Sequence, residues 1–80
     1  MDYADIILVE TVAERRNGEW RKRLVLLENG TYGVEVEWFS YFNCAYWPRP
    51  DFYSCYGLNR QKAQELYDKI RTLKDVKKLL

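Results

Sequence analysis

Two Asn-Gly pairs, Asn17-Gly18 and Asn29-Gly30, separate three long strand-like runs. Asn-Gly favours a tight type I′ hairpin turn, because both central residues of that turn need positive φ. The pairs therefore fold the first half of the chain back on itself twice. They predict strands over residues 5–15, 19–28 and 31–42. All three runs are rich in Ile, Val, Leu, Tyr and Trp, which suit a pleated sheet.

Alternation along the third run sorts its side chains by face. Tyr32, Val34, Val36 and Trp38 point one way, and Gly33, Glu35 and Glu37 the other. Two-residue turns would place Val25, Leu27, Leu8 and Val12 with the first set. Val9, Leu24, Leu26 and Lys22 would join the second, with Lys22 opposite Glu37 as a cross-strand ion pair. A longer first loop would move the first strand's residues to the other face.

Residues 43–51, NCAYWPRPD, are predicted as a stiff connection of polyproline character, not a central strand. Pro48 and Pro50 donate no backbone hydrogen bond and hold their preceding residues extended. Residues 52–56 then form a short fourth strand antiparallel to the third. Asn59 is a good helix N-cap, and Leu58 before it is placed to staple onto Ala63. Ala63, Leu66, Tyr67, Ile70 and Leu73 make one apolar stripe over a helix of residues 60–74. Asp75 is expected to cap a final short turn through Val76, Leu79 and Leu80. The predicted fold is α+β: a three- to four-stranded antiparallel β-meander with one C-terminal α-helix packed on one face. With 80 residues the chain forms a single domain, sheet over about 5–56 and helix over about 60–74.

Several chemistries are argued against. There is no histidine, which removes His-based triads, His metal sites and the commonest general base. The four glycines are isolated, so none builds a phosphate loop. Cys44 and Cys55 are too few for a structural zinc site, and either would lack a base to activate it as a nucleophile. They read as reduced thiols, with a disulfide open if they lie on neighbouring strands. Glu35 and Glu37 share a strand face with α-carbons about 6.6–7 Å apart, a spacing compatible with acid–base work but more typical of a solvated strand. The expectation is a non-enzymatic protein without cofactor or metal.

The N-terminus has no basic region followed by a cleavage site, and no apolar run approaches the roughly 20 residues that cross a bilayer. A cytoplasmic location is expected, with no membrane partner. The net charge of +1 points to no partner class, but its distribution is uneven. Residues 1–58 carry six basic and nine acidic side chains, whereas residues 59–80 carry seven basic and three acidic.

Most distinctive is WFSYFNCAYWPRPDFYSCY, residues 38–56, in which nine of nineteen side chains are aromatic. Large rings give a short chain much burial, about 150–250 Å² each. Trp38, Phe42, Phe52 and Tyr56 are assigned to the core on that ground. Phe39 and Tyr41 fall on the opposite face, and Tyr46, Trp47 and Arg49 flank the prolines. Trp, Tyr and Arg are the residues most enriched at interface hot spots, and Pro48 and Pro50 would reduce the cost of ordering Trp47 and Arg49. The candidate protein-contact residues are therefore Glu35, Glu37, Phe39, Tyr41, Tyr46, Trp47 and Arg49. The two glutamates would steer a basic partner and the others would anchor it. The alternative is a single-stranded nucleic-acid module in which the rings stack on bases and Arg49 and the basic helix bind phosphates; the acidic strand face argues against it. A homodimer burying the second sheet face is a third arrangement.

LLENGTYGVEVEW, residues 26–38, resembles the hairpin of WGR domains, but Phe39-Ser40 stand where those domains have Gly-Arg. The overall plan, a short antiparallel sheet, a C-terminal helix and no enzyme motif, resembles small phage-encoded inhibitors of the anti-CRISPR type. The resemblance is one of architecture and transfers no residue. It implies a protein that occupies a functional surface of a bacterial nuclease or other defence effector, inside the host cell.

Overall fold

The structure, a computed structural model, describes residues 7–42, 44–48 and 54–79, and only the backbone of Tyr46, Trp47, Pro48 and Leu73. Five strands and two helices follow in order: β1 (Leu8–Asn17), β2 (Trp20–Leu27), β3 (Tyr32–Ser40), β4 (Ala45–Pro48), β5 (Cys55–Leu58), α1 (Arg60–Lys69) and α2 (Leu73–Leu79). The class is the expected α+β, an antiparallel sheet with C-terminal helices. The sheet runs β1-β2-β3-β4, and β5 also pairs with β3. β2 occupies one edge of β3. β4 and β5 share the other, β4 along residues 37–40 and β5 along residues 32–34.

Both Asn-Gly turns form, but neither is type I′. Asn17 pairs with Trp20, so the central residues are Gly18-Glu19 and only Gly18 has positive φ, at 65°. At the second turn, the Leu27 N–H donates to the Thr31 carbonyl (2.9 Å) and the Gly30 N–H to the Leu27 carbonyl (3.0 Å). That makes a three-residue loop, Glu28-Asn29-Gly30, with Gly30 at φ 83°. Such loops place glycine in the left-handed position after a type I turn.

The extra loop residue shifts β2 by one against β3. Leu24 pairs with Val34, Lys22 with Val36, and Arg21 with Glu37. A one-residue shift flips every β2 side chain, so the predicted Lys22–Glu37 ion pair does not form. Leu24 shares the Val34 face, and Val25 lies on the other, opposite Gly33. Between β1 and β2, bulges at Leu8/Glu10 and Thr11/Ala13 absorb two residues. They let Val12 and Ala13, neighbours in sequence, both pack against the helix-side core.

That core joins Trp20, Leu24, Val34 and Val36 of the sheet to Ala63, Tyr67, Ile70 and Val76. Tyr32, Trp38, Leu58 and Leu66 border it. The stripe on β3 and the stripe on the helix thus meet as alternation predicts. Val25 and Leu27 are buried outside this cluster.

Residues 45–48 form an edge strand instead of an irregular connection, and Pro48 ends it opposite Glu37. An edge tolerates proline because one side of the strand needs no donor. The later strand covers Cys55–Leu58, and the expected start at residue 52 lies outside the described residues.

The C-terminal helix is broken in two. Asn59 caps α1 as expected, its Oδ1 accepting the Lys62 N–H at 2.8 Å. α1 ends at Lys69 rather than residue 74, because Thr72 and Asp75 start a second helix. Asp75 Oδ2 accepts the Arg71 and Thr72 N–H groups at 3.0 Å each, and Thr72 Oγ1 accepts the Asp75 N–H at 3.4 Å. This reciprocal capping box holds the bend. The donors from Arg71 and Thr72 keep the Asp75 carboxyl below the usual aspartate range. No helix of the described residues is long and apolar enough to cross a membrane.

Candidate protein-contact surface

The face away from the helices is a lattice of alternating charges. Arg21 stands opposite Glu37, and Arg23 opposite Glu35. Arg21 Nη1 lies 2.9 Å from Glu14 Oε1 on β1, and its Nη2 lies 2.9 Å from Glu37 Oε1. Arg23 Nη1 lies 3.3 Å from the same Glu37 oxygen and 3.9 Å from Glu35 Oε1. Arg23 also donates to Thr11 Oγ1. Opposite charges paired across strands stabilise a sheet.

Glu35 accepts the Tyr56 hydroxyl at 2.6 Å. The Tyr56 ring lies over Gly33, so close that a Cβ there would stand 2.5 Å from its Cδ1 and 3.0 Å from the Cys55 carbonyl oxygen. Gly33 is what lets Tyr56 cover the sheet. Tyr56, assigned to the core by sequence, is instead a half-buried cover for the opposite face.

The charge of Glu35 and Glu37 is therefore met within the sheet. The expected acidic steering face is an Arg–Glu surface, because the shifted register brings Arg21 and Arg23 across from the two carboxylates. This removes steering by bare carboxylates from the contact reading.

Phe39 continues the same face at the end of β3. Its ring meets Tyr41 edge-on, with centroids 5.1 Å apart at 82°. The Tyr41 hydroxyl donates to Glu19 Oε1 at 2.8 Å. Tyr41 nevertheless stays 69% exposed, and the adjacent Phe42 is 96% exposed. Both belong to the four-residue loop between the paired Ser40 and Ala45, which Cys44 closes with φ 51°. Cys44 is exposed and Cys55 half-buried, each as a thiol.

The sequence assigned Phe42 to the core by extending strand alternation past Ser40. Asn43, a turn former, was the signal that the strand stops first. Tyr46 and Trp47 pair by backbone with Phe39 and Trp38, so their stretch adjoins the predicted anchors. Their side chains, with Arg49 and Phe52, lie outside the described residues. The structure thus gathers Phe39, Tyr41 and the backbone of Tyr46 and Trp47 around one hairpin, and holds Glu35 and Glu37 in the adjoining charge lattice. Among the described residues no three His, Cys, Asp or Glu side chains group to hold a metal ion. Compared with known proteins, the chain matches no family model, no curated protein and no solved structure.

Proposed function

We propose that this protein is a non-catalytic protein-binding module whose contact surface centres on the tip of the β3–β4 hairpin. The observation that carries the reading is the pair Tyr41 and Phe42, two adjacent large rings exposed at one turn. A single exposed ring needs no explanation. Two at one tip, one held by a hydrogen bond to Glu19 and a ring contact with Phe39, form an anchor ordered before any partner arrives. Such preorganisation lowers the cost of binding. Tyr46, Trp47 and Arg49 stay candidate contact residues in this reading, and the backbone of Tyr46 and Trp47 adjoins Phe39 and Trp38 on β3. The biological form we assign is inhibition of a bacterial defence effector, such as a CRISPR nuclease, by covering a functional surface. The small α+β architecture supports that assignment.

The test is a pull-down from bacterial lysate with the wild-type protein and a Tyr41→Ala/Phe42→Ser variant of unchanged thermal stability, half of each sample treated with nuclease. A protein retained by the wild type alone, and surviving nuclease, supports the reading. Its affinity for the purified wild type should exceed that for the variant by at least about 2 kcal/mol, the scale of a hot spot. Equal retention by both proteins removes the hairpin tip from the contact. Loss of every specific band after nuclease replaces the reading with a nucleic-acid module.

A further inference from the structure

On the helix side, the two ends of the first hairpin carry cations facing each other. Arg15 on β1 stands directly opposite Lys22 on β2. Like charges in that position destabilise a sheet. On the other face the lattice resolves the matching conflict, because Glu14 and Glu37 reach Arg21. On the helix side nothing comparable occurs. Among the described residues, no ion pair reaches Arg15, Lys22 or Arg71.

Lys22 is the most confined of the three, with 7% of its surface exposed. Its ammonium donates to the Tyr67 carbonyl at 2.5 Å and lies 4.2 Å from the centroid of the Tyr67 ring. The carbonyl belongs to the last turn of α1, where a positive charge meets the helix dipole favourably. One carbonyl and one ring face leave an ammonium short of its three acceptors. Burial lowers the Lys22 pKa. Asp68 opposes this fall, and Arg15 and Arg71 add to it.

These groups line an open cavity of about 860 Å³ between the hairpin and the end of α1. Four cationic side chains and two carboxylates border it, and one of those carboxylates, Glu14, already pairs with Arg21. Asn17 Nδ2 donates to the Arg71 carbonyl at 3.4 Å and ties the hairpin end to the helix break beside the cavity. A buried ammonium lacking a counter-ion is costly, and a bound anion offsets that cost.

We infer that this cavity is an anion site, in which Lys22, Arg15 and Arg71 bind the phosphate group of a small phosphate ester. The ammonium supplies a fixed point charge at the floor. The two guanidiniums at the rim supply the planar donor forks that suit phosphate oxygens. The volume falls in the range of small-molecule sites, about 300–1,000 Å³.

The experiment titrates the intact protein with inorganic phosphate, with AMP and with a single-stranded oligonucleotide, at constant ionic strength, following backbone amide shifts. The variants are Lys22→Met and, should that one fold poorly, Arg15→Ala and Arg71→Ala, which lie on the surface. Saturable binding of phosphate or AMP is expected, with the largest shifts at residues 15–22 and 67–71. Each variant should weaken it about tenfold, the scale of one charge-assisted contact. AMP binding as tightly as the oligonucleotide, per site, identifies the ligand as a free ester. Oligonucleotide binding that is far tighter and still needs Lys22 assigns the same phosphate contacts to a polymer. No saturation by any probe, or binding that all three variants leave unchanged, overturns the inference.

Discussion

Arg21 grips a single oxygen of Glu37 with two nitrogens, Nε and Nη2, each 2.9 Å from Oε1. The two residues face each other across β2 and β3. Arg23 Nη1 reaches the same oxygen, so one glutamate joins both guanidiniums. The side chains are only 13% and 17% exposed, which limits screening by water and salt.

Glu37→Gln keeps the shape and removes the charge that both arginines share. It should cost about 1.5–3 kcal/mol, the range for hydrogen bonds to a charged group. Urea unfolding at low and high salt measures it, with a similar loss expected at both. A change under about 0.5 kcal/mol, typical of an ordinary surface substitution, would show that the lattice contributes nothing.

Gly33→Ala places a methyl group against the Tyr56 ring and the Cys55 carbonyl. Overpacking of this kind costs about 1–3 kcal/mol. Adding Tyr56→Ser should make the alanine far less harmful, because the ring it strikes is gone. A double-mutant cycle reads this coupling, and strict additivity would mean that Tyr56 does not rest on Gly33 in solution.

The Asp75 carboxyl is held below its ordinary pKa by the Arg71 and Thr72 amides. Its contribution is therefore complete above the unfolded value, about 3.9, and is lost as pH falls through the lower folded value. Helical circular dichroism of the wild type should fall with acid more steeply than that of Asp75→Asn. Parallel curves would remove Asp75 from the cap.

Lys22 gives the opposite kind of pH dependence. Burial lowers its pKa, so the folded protein releases this proton before the unfolded chain does. Stability should rise with pH over the alkaline window that ends near the unfolded value, about 10.4. Glu14, Arg15, Asp68 and Arg71 line the same cavity, as does Tyr67, whose phenol is pushed up by burial and acts with opposite sign beyond about pH 10. Urea midpoints of wild type and Lys22→Met, compared between about pH 7 and 10, isolate the lysine. Wild type should gain on the variant as pH rises. A constant gap would show that Lys22 holds its proton as tightly folded as unfolded.

The features legible in the sequence were those that one segment decides alone. Alternation within β3 put Val34 and Val36 on one face whatever the turns did, and Asn59 capped α1 through its own side chain. Relations between segments were harder. Asn29-Gly30 suits a two-residue turn, yet Gly30 also suits the end of a three-residue loop, and that one residue decides whether Lys22 or Arg21 meets Glu37. The helix break was written in Thr72-x-x-Asp75, but the apolar stripe running on to Leu73 masked it. The cation cluster was also in plain view, as Arg15-Arg16 before a turn and Arg21-Lys22-Arg23 after it. Only the register sets Arg21 and Arg23 opposite glutamates on β3 and Lys22 opposite Arg15 on β1.

The two bulges in β1 reach beyond the packing of Val12 and Ala13. Among the described residues β1 pairs only with β2, and Ile7, Leu8 and Val9 near its start are exposed. A flat apolar border of this kind invites further strands to add and chains to stack. Here the pairing offset changes twice within six residues, between Leu8 and Ala13. A regular incoming strand loses its hydrogen-bond spacing at each step. The irregularity that shapes the core is also the kind of edge feature that disfavours templated strand addition.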